Sequence, residues 1–363
     1  MRLALLLLLA APVAALAQPA TIIGTVRDAS GLPVPGANVY LSGTTLGDAT
    51  DRRGQYRIEG IAPGAYRLVG SMIGFAPSGQ NVRLAGGDFV RVDLDLAPIA
   101  LEVDAVSVEV ERDRRWERRL ARFTRALIGE SSNADSTRIL NPEVLDFDES
   151  WGTLRATARA PLEIVNEALG YQITYDLESC EASAGGIQYD GSERFDPLLP
   201  SSPAEAQQWV RARERAYRGS QQHLFQSLLA GTAEAEGFTL TQTTERGQRI
   251  FGGLGSERTA ADEILSQGTY GWGSVRFVGT IDVVYSGEPE SPEYLTSEWF
   301  AEDRRTPGSY QRSSLELSEG MLRVDPQGTP EDPLGITTSG YMAFERLADR
   351  VPEDYAPEAL VED

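Results

Sequence analysis

Ser220 and His223 stand three residues apart in a stretch of helical periodicity, a spacing that puts both side chains on one helix face. A serine beside a histidine is the beginning of a nucleophile and its base, and a carboxylate such as Glu214 would orient the imidazole. The surroundings argue against that chemistry. A serine nucleophile sits at a sharp turn beside backbone donors, and the chain has no G-x-S-x-G elbow. The reading adopted is a helix face with a hydrogen-bonded histidine. Asp146, Asp148 and Glu149 also lie close together, and paired carboxylates held across a glycosidic bond can hydrolyse it. With 54 acidic residues in the chain, chance clusters are expected, and these three read as solvated surface. His223 is the single histidine and Cys180 the single cysteine, which excludes both an internal disulfide and a metal site built from Cys and His. Neither a phosphate loop nor a calcium loop of EF-hand spacing is present. No catalytic residue, metal or cofactor is therefore expected.

The charge is more informative than the chemistry. The net charge is −21, and all 33 basic residues are arginines. So acidic a chain is repelled by a phosphate backbone, which excludes general nucleic-acid binding. A salt-rich setting and a GC-rich genome explain the lack of lysine equally well. One segment runs against the trend: between Arg112 and Arg125, seven arginines face only Asp113 and Glu117. Trp116, Leu120, Phe123 and Leu127 recur there at helical spacing, so the segment predicts an amphipathic helix over 112–128. Arg115, Arg118, Arg119 and Arg122 would line a docking surface for an envelope protein or an anionic envelope component. The competing reading pairs these arginines with the chain's own acids. Aromatics give weaker candidates for stacking on sugar rings: Tyr40, on the outward face of its strand, and Tyr270-Gly271-Trp272. Trp151 and Trp299-Phe300 are assigned to the core.

These residues must be positioned by a chain that starts with an export leader. Met1-Arg2, the apolar run Leu3–Ala11 and the small residues of Ala15-Leu16-Ala17 read as a cleaved signal peptide over 1–17. No cysteine follows it to carry a lipid, and no later segment is long and apolar enough for a transmembrane helix. The expected location is exported: periplasmic or outer-membrane associated.

Short alternating runs follow at β-sandwich spacing. Ala37, Val39 and Leu41 share one face of a strand, Tyr56 and Ile58 a second, Tyr66 and Leu68 a third, and Val90, Val92, Leu94 and Leu96 a last. Asp51-Arg52-Arg53-Gly54 and Pro63-Gly64 supply turns. The patterns Gly24–Asp28, Pro33–Val39, Thr50–Tyr56 and Gly64–Leu68 resemble the carboxypeptidase regulatory-like domain of bacterial envelope proteins. That resemblance implies a transthyretin- or Ig-like sandwich over 18–98. The same module precedes the barrel of many TonB-dependent transporters, but this chain lacks serial strands of membrane length.

Beyond it, 99–130 reads as a linker strand (Val103–Val110) and the basic helix, 131–349 as an α+β domain of unknown role, and 350–363 as a loose acidic tail. Within the α+β domain, Leu162, Val165 and Leu169 predict a helix ended by Gly170. Ser202, Pro203 and Glu205 predict the start of another, running toward Ala230 unless Gly219 breaks it. Val275, Phe277, Ile281, Val283 and Tyr285 alternate as strands, as do Leu315 and Leu317, with a turn at Ser318-Glu319-Gly320. Ala216–Ala230 and Gly340–Pro357 resemble recurring stretches of an uncharacterised Bacteroidetes-type envelope family. The combined expectation is a multidomain, non-catalytic envelope protein whose sandwich docks or stabilises an α+β interaction domain. A carboxylate-based hydrolase or glycan-handling enzyme, and a soluble glycan or peptide binder serving an uptake system, are the alternatives.

Overall fold

The computed structural model describes residues 18–98, 114–183, 186–243, 256–297 and 309–357. Nine strands build the N-terminal module: β1 Ala20–Asp28, β2 Asn38–Leu41, β3 Gly47–Ala49, β4 Gln55–Ile61, β5 Gly64–Ser71, β6 Phe75–Ala76, β7 Ser78–Leu84, β8 Phe89–Arg91 and β9 Leu94–Pro98. They form two sheets, one in the order β4-β1-β9-β6 with β8 also on β1, the other β3-β2-β5-β7. The alternation read from the sequence sets the packing: Val39, Leu41, Ile58, Leu68, Leu94 and Leu96 all lie in the buried core. The Asp51 turn is built as its residue types require. Its Oδ1 accepts the N–H groups of Arg53 and Gln55, which holds the Asp51 carboxyl below its ordinary pKa.

The rest of the described chain is richer in strands than expected. β10 Thr137–Ile139, β11 Leu145–Ser150, β12 Thr153–Ala158, β13 Leu162–Asn166, β14 Tyr171–Ser183 and β15 Gly186–Pro197 make one sheet, ordered β10-β13-β14-β12-β11 with β15 on β14. β16 Phe238–Thr243, β17 Ser256–Arg258, β18 Leu265–Gln267, β19 Gly273–Arg276, β20 Thr280–Pro289, β21 Tyr310–Leu317, β22 Met321–Val324 and β23 Ile336–Gly340 make two more. These are ordered β17-β16-β20-β21-β23 and β18-β19-β22. Helix α1, Arg114–Ile128, packs on the first of these sheets. Helices α2, Pro203–Tyr217, and α3, Gln221–Ala230, follow it.

Two expectations fail here for physical reasons. The helix predicted over 162–169 is the strand β13, with Leu162, Ile164 and Asn166 buried and Glu163 and Val165 half-buried. Leu162 and Val165 fit a period of three, but the β-branched pair Ile164-Val165 after Pro161 favours an extended chain, and both neighbouring strands supply ladder bonds. The tail from Arg350 is not loose over its described part. Val351 and Pro352 are buried, and Arg350 pairs with the buried Glu193 at 2.7 Å. Of the two ends left open for the helix begun at Ser202, the break at Gly219 is the one observed. Gly219 adopts φ +80°, separating α2 from α3.

The sandwich is fused to the strand-rich region by a polar seam. Gly43 donates its N–H to the Glu193 carbonyl at 2.7 Å, and Phe195 donates to the Thr44 carbonyl at 3.1 Å, so a short loop pairs with β15 like a strand. Glu353 donates its N–H to the Gly43 carbonyl at 2.7 Å. Tyr40, expected on an exposed face, is 2 % exposed, and its hydroxyl donates to Asp176 at 2.5 Å. The outward face of β2 is covered by the second region, which sequence periodicity cannot distinguish from water.

Farther along the seam, Asp325 is fully buried and accepts N–H bonds from Ala65, Gln327 and Thr329. Burial nevertheless pushes its carboxyl up to about 6. Asp349, bonded by Ser131 and Asn133, is likewise pushed by burial to about 6. A carboxyl with a raised folded-state pKa contributes stability that is complete below its unfolded value near 4 and lost as pH rises through 6. His223, held below its ordinary pKa by burial, opposes this below about pH 6.5. Asp325→Asn isolates one carboxyl: between pH 7.5 and 5 the wild-type chain should gain about 1–3 kcal/mol more than the variant does. Denaturant unfolding at the two pH values measures this, and equal gains would show that the Asp325 charge costs nothing.

Candidate functional site

Helix α1 is amphipathic as its spacing predicts. Phe123 and Leu127 are fully buried, Leu120 packs against the same core, and Phe147 lies between Trp116 at 6.0 Å and Phe123 at 5.8 Å. The arginines divide into two groups. Arg119 and Arg122 both pair with Glu149, at 3.3 and 3.1 Å, and Arg122 also donates to the carbonyls of Gly152 at 2.7 Å and Ala182 at 2.8 Å. Arg125 pairs with Glu130 at 3.2 Å. Arg114, Arg115 and Arg118 lie on the exposed face. Among the arginines assigned to docking, Arg119 and Arg122 therefore also serve the internal packing of the helix on its sheet. Arg112 lies outside the described residues.

What Arg122 holds is the turn between β11 and β12, and the turn carries Trp151. This side chain was assigned to the core, yet it is fully exposed. Ser150 pairs with Thr153, so Trp151 and Gly152 form a two-residue loop, with φ of 52° and 79°. Positive φ at both central positions is the hairpin geometry that matches strand twist, and it projects the first side chain outward. Trp-Gly is not among the usual two-residue hairpin pairs, and Gly152 between two alternating runs was the one local hint. An indole at a positive φ is costly for a bulky residue. It persists here because the ladder on both sides and the Arg122 bond fix the turn.

The serine–histidine pair has a structural role. The Ser220 hydroxyl caps α3 by accepting the backbone N–H of His223 at 3.2 Å. The His223 ring is buried among Tyr217, Phe238 and Tyr285, with centroids at 4.8, 4.8 and 5.7 Å. Its Nδ1 accepts the N–H of Gly219 at 3.0 Å, which leaves the proton on Nε2 to be donated to Glu236 at 2.7 Å. Burial, only partly offset by Glu236, keeps the ring below its ordinary pKa. Neither nitrogen can take a proton from Ser220, and Glu214 pairs with Arg218 instead. Ser220 and His223 are thus not a nucleophile and base.

The other candidates are placed as follows. Asp146 and Glu149 are exposed and paired, Asp146 with Arg159 at 3.0 Å, and Asp148 is exposed beside them. Trp272 has Arg83 and Arg323 over its ring at 5.8 and 5.1 Å, so guanidinium groups compete with a sugar for stacking on it. Tyr270 is exposed at φ 58°. Trp299 and Phe300 lie outside the described residues. Burial pushes the Cys180 thiol up to about 11, leaving it inert. Among the described residues no group of His, Cys, Asp and Glu is placed to hold a metal ion, and no helix is long and apolar enough to cross a membrane.

The two-sheet sandwich and its turn chemistry decide the nature of the N-terminal module. Residues 21–97 match the carboxypeptidase regulatory-like domain. Carboxypeptidase D of Drosophila melanogaster is 38% identical over 98 residues, which is 25% of this chain and 7% of that protein's length. Among solved structures, a type II cohesin–X-dockerin complex from Acetivibrio cellulolyticus is similar at 19% identity, with a TM-score of 0.20, over 22% of this chain and 58% of that one. Chlorocatechol 1,2-dioxygenase from Pseudomonas putida is similar at 14% identity and a TM-score of 0.18, over 22% of this chain and 60% of that one. Both structural likenesses are confined to a minor part of the chain.

Proposed function

We propose that this is an exported, non-catalytic protein of the bacterial envelope that joins a regulatory-like sandwich to an α+β interaction region. The sandwich stabilises that region through the seam, and the face formed by α1 and the Trp151 hairpin docks an acidic partner protein. The Met1–Ala17 leader pattern supports export. The capping role of Ser220 and the neutral, internally bonded His223 support a non-catalytic reading. The observation that carries the docking assignment is the indole of Trp151, wholly exposed on a turn that Arg122 fixes next to the basic helix. Tryptophan and arginine are the side chains that most often dominate protein interfaces, and a rigid mount lowers the entropy lost on binding. Positive charge on α1, in a chain of net charge −21, selects an acidic partner and disfavours self-association through other faces.

Crosslinking capture of partners from the native envelope, at native salt, tests this. One dominant acidic protein should be enriched. Trp151→Ala should weaken its capture about 30-fold, the equivalent of about 2 kcal/mol, without changing the thermal midpoint. Arg115→Gln with Arg118→Gln should weaken it further and remove most of its salt dependence. Absence of an enriched protein, or capture indifferent to Trp151, would overturn the reading, as would enrichment of lipid alone.

A further inference from the structure

A cavity of about 250 Å³ lies where the sandwich, α2 and the C-terminal segment converge. Thr45 lines it from the sandwich, Tyr171, Val210 and Arg213 from the strand-rich region, and Asp354 and Tyr355 from the C-terminal segment. Two opposite charges face this one space without meeting. Arg213 donates from Nε to the Leu169 carbonyl at 2.7 Å and from Nη2 to the Gly170 carbonyl at 3.0 Å, and it stacks on Tyr171 at 4.2 Å from the ring centroid. Among the described residues its Nη1 has no hydrogen-bond partner, and the two carbonyls orient the guanidinium without neutralising it. Asp354 accepts the N–H of Thr45 at 3.0 Å and the Thr45 hydroxyl, bonds that orient a carboxylate, and among the described residues no cation pairs with it. The two groups are bonded to different parts of the chain, Arg213 to Leu169 and Gly170 and Asp354 to Thr45, and no ion pair joins them.

We infer that this cavity binds a free α-amino acid as its zwitterion. A carboxylate is the natural partner of the open side of Arg213, where two-point charge-assisted hydrogen bonds form. An ammonium group is the matching partner of Asp354. One ligand that carries both neutralises both walls at once. A simple anion would meet Arg213 but be repelled by Asp354, and a simple cation would meet the reverse. A neutral sugar would displace water from two charges and compensate neither. The volume limits the ligand to a single residue, below the usual range for pockets that enclose drug-sized molecules. Val210 and the tyrosines favour an apolar side chain.

This site is separate from the α1 and Trp151 face, so the two assignments stand or fall independently. Calorimetric titration of the whole chain with the common L-amino acids, each alone, tests it. At least one should bind saturably. Its deaminated and decarboxylated analogues should each bind at least tenfold more weakly, because each leaves one wall charge unpaired. Asp354→Asn should lose at least tenfold, since the amide can still accept from Thr45 but no longer attracts an ammonium group. Arg213→Gln should do the same, and should it fail to fold, the analogue comparison and Asp354→Asn decide alone. Trp151→Ala should bind as the parent does. Silence across the amino acids at millimolar concentration, an analogue that binds as well as its parent, or binding by sugars alone would each overturn the inference.

Discussion

Replacing Tyr40 with alanine should cost about 3–5 kcal/mol of folding stability, as truncation of a buried aromatic side chain does. The position looks dispensable on the strand that carries it, because Tyr40 points away from the sandwich core that Val39 and Leu41 enter. Its ring is nonetheless buried in the seam, and its hydroxyl is the donor that compensates Asp176, whose carboxyl burial pushes upward. Alanine removes the ring and strands the carboxylate together. Tyr40→Phe keeps the ring and should cost about 1–3 kcal/mol, the penalty for leaving a buried polar group without its partner. Denaturant midpoints of the three chains separate the two contributions. A Tyr40→Ala midpoint equal to that of the parent would show that the sandwich and the strand-rich region fold without needing each other.

Gly24→Ala should destabilise the sandwich by about 3 kcal/mol or more. A Cβ added at Gly24 would stand 1.6 Å from the carbonyl oxygen of Val92 and 2.7 Å from the Tyr56 ring. Neither neighbour can retreat. The Tyr56 hydroxyl donates to that same carbonyl at 2.7 Å, and Val92 donates its own N–H to the Ile23 carbonyl at 2.9 Å. β1 is also held on both flanks, antiparallel to β4 and parallel to β8 and β9. The expected result is a large fall in the unfolding midpoint with a matching loss of soluble yield. A shift smaller than about 0.5 kcal/mol, the ordinary range for surface changes, would mean that the Val92 carbonyl is not so close.

The two substitutions illustrate how differently the halves of the chain disclose themselves. The sandwich was legible because its information is local. Strand alternation at Val39, Leu41, Leu94 and Leu96, with an Asp-to-Gly turn at Asp51–Gly54, specifies both the buried faces and the turns that join them. The basic helix was legible for the same reason, since Phe123 and Leu127 repeat at its own period. β13 was misread because a five-residue strand is shorter than the window over which periods of two and of three diverge. Its identity comes from β10 and β14 on either side, which are distant or ambiguous in the sequence.

The sites depended still more on what packs against what. Counts alone leave no second cysteine for an internal disulfide and no Cys/His set for a metal site, and an acidic chain with one basic helix raised charge as the expected means of recognition. Those conclusions need only counts and local order. Only the tertiary structure buried Tyr40, exposed Trp151, spent Arg119 and Arg122 partly on Glu149, and turned the His223 ring away from Ser220 toward Glu236. It alone brought Arg213 and Asp354, 141 positions apart, to the walls of one cavity. The physical reason is common to all of these. A residue's local pattern fixes which side of its own element it occupies, whereas water, a partner charge or another sheet on that side is supplied by segments far away in the chain.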